Sequence, residues 1–237
     1  MITKIIHEDK IQKAHKYIEK GESFVIVTHV SPDGDAIGSA LGLFHFLNAY
    51  GKENVSVIVP NDYPNFLKWM PGTKDVTIYE KYPEFSEQLI SDADVIFCLD
   101  FNDPKRIEKL ADPVLKSEAR KVLIDHHLHP VEFCNVTMSY PNISSTSEMV
   151  FRFICRMGLF DLIDKNAAEC IYTGMMTDTG AFTYNSNHPE IYTIIGELIK
   201  LGIDKDLIYR RINQVYSEGR LRLMGYVLYE KMKVHHD

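Results

Sequence analysis

Ser23-Phe24-Val25-Ile26-Val27-Thr28-His29-Val30-Ser31-Pro32-Asp33-Gly34-Asp35 joins an unbroken, mostly apolar run to a turn that carries one imidazole and two carboxylates. A short continuous run of this kind suits a strand covered on both faces. After the turn, Asp35 to Tyr50 places apolar residues at helical spacing, and Gly51 follows as a stop. Working outward, Val55 to Val59 reads as a second strand. Asp94 to Leu99 (DVIFCL) reads as a third that ends at Asp100, and Lys121 to Ile124 as a fourth that ends at Asp125. Ile11 to Glu19, stopped by Gly21, reads as a helix, as do Thr146 to Met157 and Asn166 to Met176. Tyr63 to Thr73 contains two prolines and reads as a loop or short helix. Strands alternating with helices predict an α/β fold, a parallel sheet flanked by helices. Ligands of such sheets bind beyond the carboxyl ends of the strands. His29, Asp100 and Asp125-His126-His127 all fall there.

The character changes after Tyr184. Pro189 to Leu201, Lys205 to Arg211 and Gly219 to Lys233 are helical patterns with no strand between them. The expected division is a first domain over residues 1–187 and a helical linker over residues 188–237.

Composition limits the partners. Lys+Arg 26 against Asp+Glu 33 gives a net charge of -7, which makes long duplex nucleic acid a poor partner. A small anionic substrate remains compatible, because metal ions and a few local cations reverse the sign inside a cleft. Cys98, Cys134, Cys155 and Cys170 lack CxxC spacing and read as buried free thiols, which fits a reducing, cytoplasmic compartment. The start, MITKIIHEDKIQKAHKYIEKG, is a polar amphipathic helix pattern rather than a signal peptide. No apolar run approaches the roughly 18 residues of a membrane span, so no membrane partner is expected.

Four segments carry the chemistry. In HVSPDGDAIGS, Pro32 and Gly34 build a tight turn that sets Asp33 and Asp35 close together at a helix start, within reach of His29. A plain helix cap is the competing reading. An EF-hand fails, since its fifth and twelfth positions would be Ile37 and Phe44. Gly34, Gly38 and Gly42 do not form a dinucleotide fingerprint. Asp100 follows a buried strand. In Asp125-His126-His127 one imidazole can ligate a metal while the other faces the substrate, with Asp125 fixing an imidazole tautomer. Asp178 lies in the apolar stretch MMTDTGAF, where an acid needs a partner or a metal. Acids and imidazoles at strand ends, meeting in space, point to metal-assisted attack of water on a phosphate ester.

In order and residue type these four segments resemble the motifs of the DHH phosphoesterase superfamily. The likeness covers about residues 1 to 185. Ser144-Ser145-Thr146-Ser147-Glu148 is typical of its oligoribonuclease and 3'-phosphoadenosine-5'-phosphate phosphatase branch, often labelled exopolyphosphatase-related. The resemblance implies that His29, Asp33 and Asp100 hold one ion. It implies that Asp35, Asp100, His126 and Asp178 hold the other, with Asp100 bridging. Such hard oxygen and imidazole donors suit manganese, with magnesium or cobalt as substitutes. His127 is then the catalytic group facing the phosphate and Asp125 its support; Arg106, Ser144, Ser145 and Thr146 contact phosphate, or else serve as helix caps or surface residues.

The implied activity is hydrolysis of short single-stranded oligoribonucleotides, or of 3'-phosphoadenosine-5'-phosphate, by water activated between two metals. Hydrolysis of linear or cyclic dinucleotides, or of pyrophosphate or polyphosphate, at the same site is the alternative. A metal- and nucleotide-binding module without rapid turnover is another. Branch members carry a second, DHHA1-type domain after the linker, and this sequence is expected to stop where that domain begins. A homodimer is left open.

Overall fold

Among the described residues, all six strands run the same way. The computed structural model describes residues 4–234, so Met1 to Thr3 and His235 to Asp237, at the outer limits of the two expected segments, lie outside the described residues. The chain opens with α1 (Glu8–Lys20), β1 (Ser23–Val27), α2 (Gly34–Ala49), β2 (Asn54–Val59) and β3 (Val76–Ile78). It continues through α3 (Pro83–Ser91), β4 (Val95–Leu99), α4 (Ala111–Lys116), β5 (Arg120–Asp125) and β6 (Val136–Ser139). Helices α5 (Thr146–Arg156), α6 (Lys165–Asp178), α7 (Pro189–Lys200), α8 (Lys205–Asn213) and α9 (Glu218–Tyr226) follow. Sheet order is β3-β2-β1-β4-β5-β6, and each pairing is parallel. The α/β architecture expected from the alternating pattern is therefore the one formed.

Side chains alternate between two cores, as a two-residue strand period requires. Phe24 and Ile26 of β1, with Phe97 and Leu99 of β4, face the layer of α1, α2, α5 and α6. Val25, Val27, Ile96 and Cys98 face the other layer, with Ile90 of α3 and Val114 of α4. Every residue from Val95 to Leu99 is buried, which is why DVIFCL shows no polar alternation. Each such side chain contributes about 1.5–3 kcal/mol on burial.

Two strands and two helices depart from the sequence reading. β3 has three residues and β6 four, both at sheet edges, too short to stand out as apolar runs. Helix α3 buries only Ser86 and Ile90, and α4 spans six residues with Pro113 among them. The stretch from Tyr63 to Thr73 is a loop containing a short 3-10 turn at Asn65–Leu67. The last predicted helix is broken: α9 passes into a π turn at Val227–Lys231 and stops there.

Among the described residues, no helix is long and apolar enough to cross a membrane. Cys98 and Cys170 are buried, Cys134 and Cys155 half-buried, and all four are free thiols.

Candidate metal centre

β1 sits where the sheet order reverses. The chain runs outward through β2 and β3, then returns to lay β4 against β1 on the other side. Strand ends diverge at such a point and leave a crevice. His29 follows β1, Asp100 follows β4, and Asp125 is the last residue of β5, so three of the four segments meet there.

Asp100 is the hub. It is 2% exposed and holds a left-handed backbone with φ 63, unusual for a residue with a side chain and a sign of strain held at a working site. Its Oδ2 lies 3.4 Å from His29 Nε2, and its Oδ1 lies 3.7 Å from His126 Nε2. Each oxygen thus faces a different imidazole. His29 Nε2 is also 3.9 Å from Asp33 Oδ1. His126 Nε2 is 3.9 Å from Asp35 Oδ2 and 3.4 Å from Asp178 Oδ2. The ring nitrogens on the far side are occupied. His29 Nδ1 is 2.7 Å from the Val30 carbonyl and His126 Nδ1 is 3.3 Å from that of Ile143. A carbonyl there requires Nδ1–H and leaves the Nε2 lone pair for a metal.

Asp178 comes from elsewhere. It ends α6, which packs across α2 at a distance only glycine permits. A Cβ on Gly38 would lie 2.6 Å from the Cys170 carbonyl oxygen of α6; Gly174 of α6 admits α5 as closely, a Cβ there lying 1.9 Å from Ser147 Oγ. Gly34, Gly38 and Gly42, which carry no phosphate motif, form the stripe of α2 that receives α6. The N-cap reading of Asp33 also holds, since its Oδ1 accepts from the backbone N–H groups of Asp35 and Ala36, both at 3.0 Å.

Electrostatics follow from crowding carboxylates. Burial pushes Asp35 well above the usual carboxylate range, and the charges of Asp100 and Asp178 push the same way. Burial raises Asp178 to about 6, against the pull of His126. Asp100 is held below its ordinary value because His29, then His126 and His127, outweigh a large burial penalty. His29 is raised, with burial opposed by the hydrogen bond and charge of Asp100.

His127 is arranged differently. Its Nδ1 lies 2.8 Å from Asp125 Oδ1, and its backbone N–H donates to Asp125 Oδ2 at 2.8 Å. The Nδ1 hydrogen bond to Asp125 comes first in raising its pKa. His127 Nδ1 is also 3.8 Å from Asp100 Oδ1, close enough to group it with Asp100 and His126 as a third donor set. We assign Nδ1 to Asp125, the nearer partner by 1 Å.

The predicted phosphate contacts separate. Thr146 donates its hydroxyl to Asp100 Oδ1 at 2.8 Å and its backbone N–H to Asp35 Oδ2 at 2.6 Å. Ser145 caps α5 through Glu148 N–H. The Ser144 hydroxyl donates to Glu148 Oε2 at 2.5 Å, and Ser144 also lies on the wall of a cavity of about 460 Å³ shared with Tyr140 and Arg152. Arg106 is half-buried. Its carbonyl accepts from Val30 N–H at 2.9 Å, and its charge opposes protonation of His127.

Sequence reasoning missed three supports. Ser147 N–H donates to Asp35 Oδ1 at 2.9 Å. Asn102 Nδ2 donates to the His127 and Leu128 carbonyls at 3.0 and 2.9 Å. Arg152 Nε donates to Glu148 Oε1 at 2.8 Å, bracing the start of α5. The S-x-x-E spacing of Ser145 and Glu148 before an apolar run signals a helix start of this kind. Nothing local signals Asn102.

Residues 23–175 match the DHH family, N-terminal domain. A bifunctional oligoribonuclease and PAP phosphatase NrnA of Thermus thermophilus is 34% identical over 203 residues, 86% of this chain and 57% of the relative. A cyclic-di-AMP phosphodiesterase PdeA of Listeria monocytogenes is 22% identical over 243 residues, 95% of this chain and 35% of the relative. The chain thus spans little more than half of the first relative and about a third of the second. The crystal structure of an exopolyphosphatase-related protein from Bacteroides fragilis superposes with a TM-score of 0.97 at 61% identity, covering 99% of this chain and 68% of that one. The family match takes in all six strands, α5 and most of α6, and the chain belongs to the DHH family.

Proposed function

We propose that the protein is a metal-dependent phosphoesterase acting on short oligoribonucleotides or on 3'-phosphoadenosine-5'-phosphate. The observation that carries this reading is the convergence of His29, Asp33, Asp35, His126 and Asp178 around Asp100. His29, Asp33 and Asp100 form one cluster of donor atoms, and Asp35, His126 and Asp178 another. Two donors each about 2.0–2.2 Å from one ion lie about 3–4 Å apart, and the pairs described above have that spacing. Hard oxygens with neutral imidazoles fit two divalent ions, manganese first, with Asp100 shared between the sets. When bound, such ions stabilise charge on phosphate oxygens and lower the pKa of water.

The chain's own groups do the rest. Thr146 and the start of α5 hold Asp100 and Asp35 in place. Asp125 keeps the His127 proton on Nδ1 and favours the imidazolium form, which can release a proton to the leaving oxygen from Nε2 or stabilise its charge. Arg106 remains the candidate phosphate contact, while the buried Ser144, Ser145 and Thr146 hydroxyls are engaged by Glu148 and Asp100. The named activity of the Thermus relative supports the substrate class. That of the Listeria relative makes a cyclic or linear dinucleotide the second class to test. Residues 1–187 form the catalytic unit in this reading and residues 188–237 the linker, in a cytoplasmic enzyme.

The test is mononucleotide release from a 5'-phosphorylated diribonucleotide with manganese. Release is expected from the wild-type chain, and none from Asp100→Ala or after chelation. A wild-type chain that binds manganese but releases nothing from a diribonucleotide, a cyclic dinucleotide or 3'-phosphoadenosine-5'-phosphate would overturn the reading.

A further inference from the structure

A cavity of about 290 Å³ opens beside Asp33 and ends at the helical linker. Its near end is a candidate metal ligand. Phe66, Ala181 and Ile212 add apolar surface to its walls, and Asn213 and Arg220 add an amide and a guanidinium to the same lining. These come from three separate parts of the chain: the 3-10 turn after β2, the segment after α6, and α8 with α9.

One wall is built at a conformational cost. Gly180, Ala181 and Phe182 are consecutive left-handed residues, with φ 53, 58 and 63. Residues with side chains avoid that region unless the surroundings hold them there. Here the fully buried Thr179 does so, accepting from Phe182 N–H at 3.0 Å while donating to the Met175 carbonyl at 2.7 Å. Phe182 is locked against Tyr172, ring centroids 5.7 Å apart. The turn begins two residues after Asp178 and brings Ala181 into the cavity wall. It therefore fixes the apolar surface relative to the metal ligands.

We infer that this cavity, resting on the phosphoesterase reading, takes a nucleobase of the substrate whose phosphate lies at the Asp33 side. An aromatic ring at an apolar slot, with an amide beside it, suits a planar heterocycle that stacks and offers hydrogen bonds at its edge. Phe66 supplies the stacking face and Asn213 a donor and an acceptor. Arg220, whose guanidinium carbon lies 4.9 Å from the Tyr216 ring centroid, supplies positive charge for a further phosphate of the strand. A chain of phosphates alone has nothing to fill the apolar walls, so the cavity selects nucleotides over pyrophosphate and polyphosphate. The linker is then part of the substrate site rather than only a spacer.

Calorimetric titration with manganese present tests this, using adenosine 5'-monophosphate against ribose 5-phosphate. The wild-type chain should bind the nucleotide at least about tenfold more tightly. Phe66→Leu, which removes the ring and keeps an apolar side chain, should abolish that preference and leave ribose 5-phosphate binding unchanged. Phe66→Tyr should keep it. Asn213→Ala, a milder change on a separate helix, should narrow the gap. No preference in the wild-type chain, including no binding of either ligand, overturns the inference. So does a preference that survives both Phe66→Leu and Asn213→Ala. Turnover is read separately. A base preference without hydrolysis of a diribonucleotide, a cyclic dinucleotide or 3'-phosphoadenosine-5'-phosphate would retain the subsite and reject the phosphoesterase reading, and hydrolysis without a base preference would do the reverse.

Discussion

Thr146 donates its hydroxyl to Asp100 Oδ1 at 2.8 Å, across 46 residues of sequence. Both groups are buried, so the bond is charge-assisted and shielded from water. It fixes the side chain that the two candidate ion sites share. Thr146→Val keeps the shape and removes the donor. Leaving a buried carboxylate short of a partner costs about 1.5–3 kcal/mol. We expect a lower urea midpoint in the metal-free chain and weaker manganese uptake, with both restored in Thr146→Ser. An unchanged manganese affinity in Thr146→Val would show that Asp100 needs no such support.

His126 and His127 are adjacent and should fail differently. His126 Nε2 faces Asp35, Asp100 and Asp178, whereas His127 Nδ1 is held by Asp125. His126→Ala should remove one ion and most turnover with it. His127→Ala should keep both ions and lose about 10²–10⁴ in kcat, the usual worth of a positioned acid or base. Ion stoichiometry by metal analysis, beside single-turnover rates, separates the two. Loss of an ion in His127→Ala would reverse the assignment.

Much of this site is legible in the sequence, because each candidate ligand segment is short and follows an apolar run. His29, Asp100 and Asp125-His126-His127 needed only the rule that parallel strands present ligands at their carboxyl ends. Supports between elements were not legible. Thr146 reads locally as a helix-start residue, and only the packing of α5 beside α2 and β5 brings its hydroxyl to the carboxylate that follows β4. Gly34, Gly38 and Gly42 repeat every four residues, which marks one face of α2 but not the helix it meets. The edge strands β3 and β6 are too short for periodicity to register, and α3 buries too few residues to show an amphipathic stripe.

The α2–α6 contact supplies a prediction away from the ligands. A methyl group on Gly38 meets the Cys170 carbonyl oxygen at 2.6 Å and Gly174 N at 2.8 Å. Both are backbone atoms, so no side-chain rotation relieves the clash. Overpacking costs typically about 1–3 kcal/mol, and here it also moves α6, which carries Asp178. Gly38→Ala should lower the thermal midpoint and weaken the ion held through Asp178 more than the ion held through His29. The exposed Gly219→Ala, where a methyl group meets nothing within 4 Å, should do neither. Gly38→Ala with wild-type stability would mean the helices are further apart than described.

Metal uptake through Asp178 depends on pH. Asp178 titrates at about 6 in the metal-free fold, raised first by burial, against about 3.9 in an unfolded chain. The folded state therefore holds its proton more tightly than the unfolded state does. That contribution to stability is complete below about pH 4 and is lost as pH rises through 6. Asp35 is shifted in the same direction. Above pH 6 the metal-free site carries charge that a divalent ion neutralises, while below it the ion must displace a proton. The rise in thermal midpoint on adding manganese should therefore be small at pH 5 and larger by several degrees at pH 7.5. Asp178→Asn cannot ionise, so its shift should be smaller at pH 7.5 and flatter between the two. Histidine protonation also opposes metal binding at pH 5 but remains in the variant, so the difference between wild type and Asp178→Asn isolates the carboxylate. Parallel pH dependence in the two proteins would remove Asp178 from the ion site.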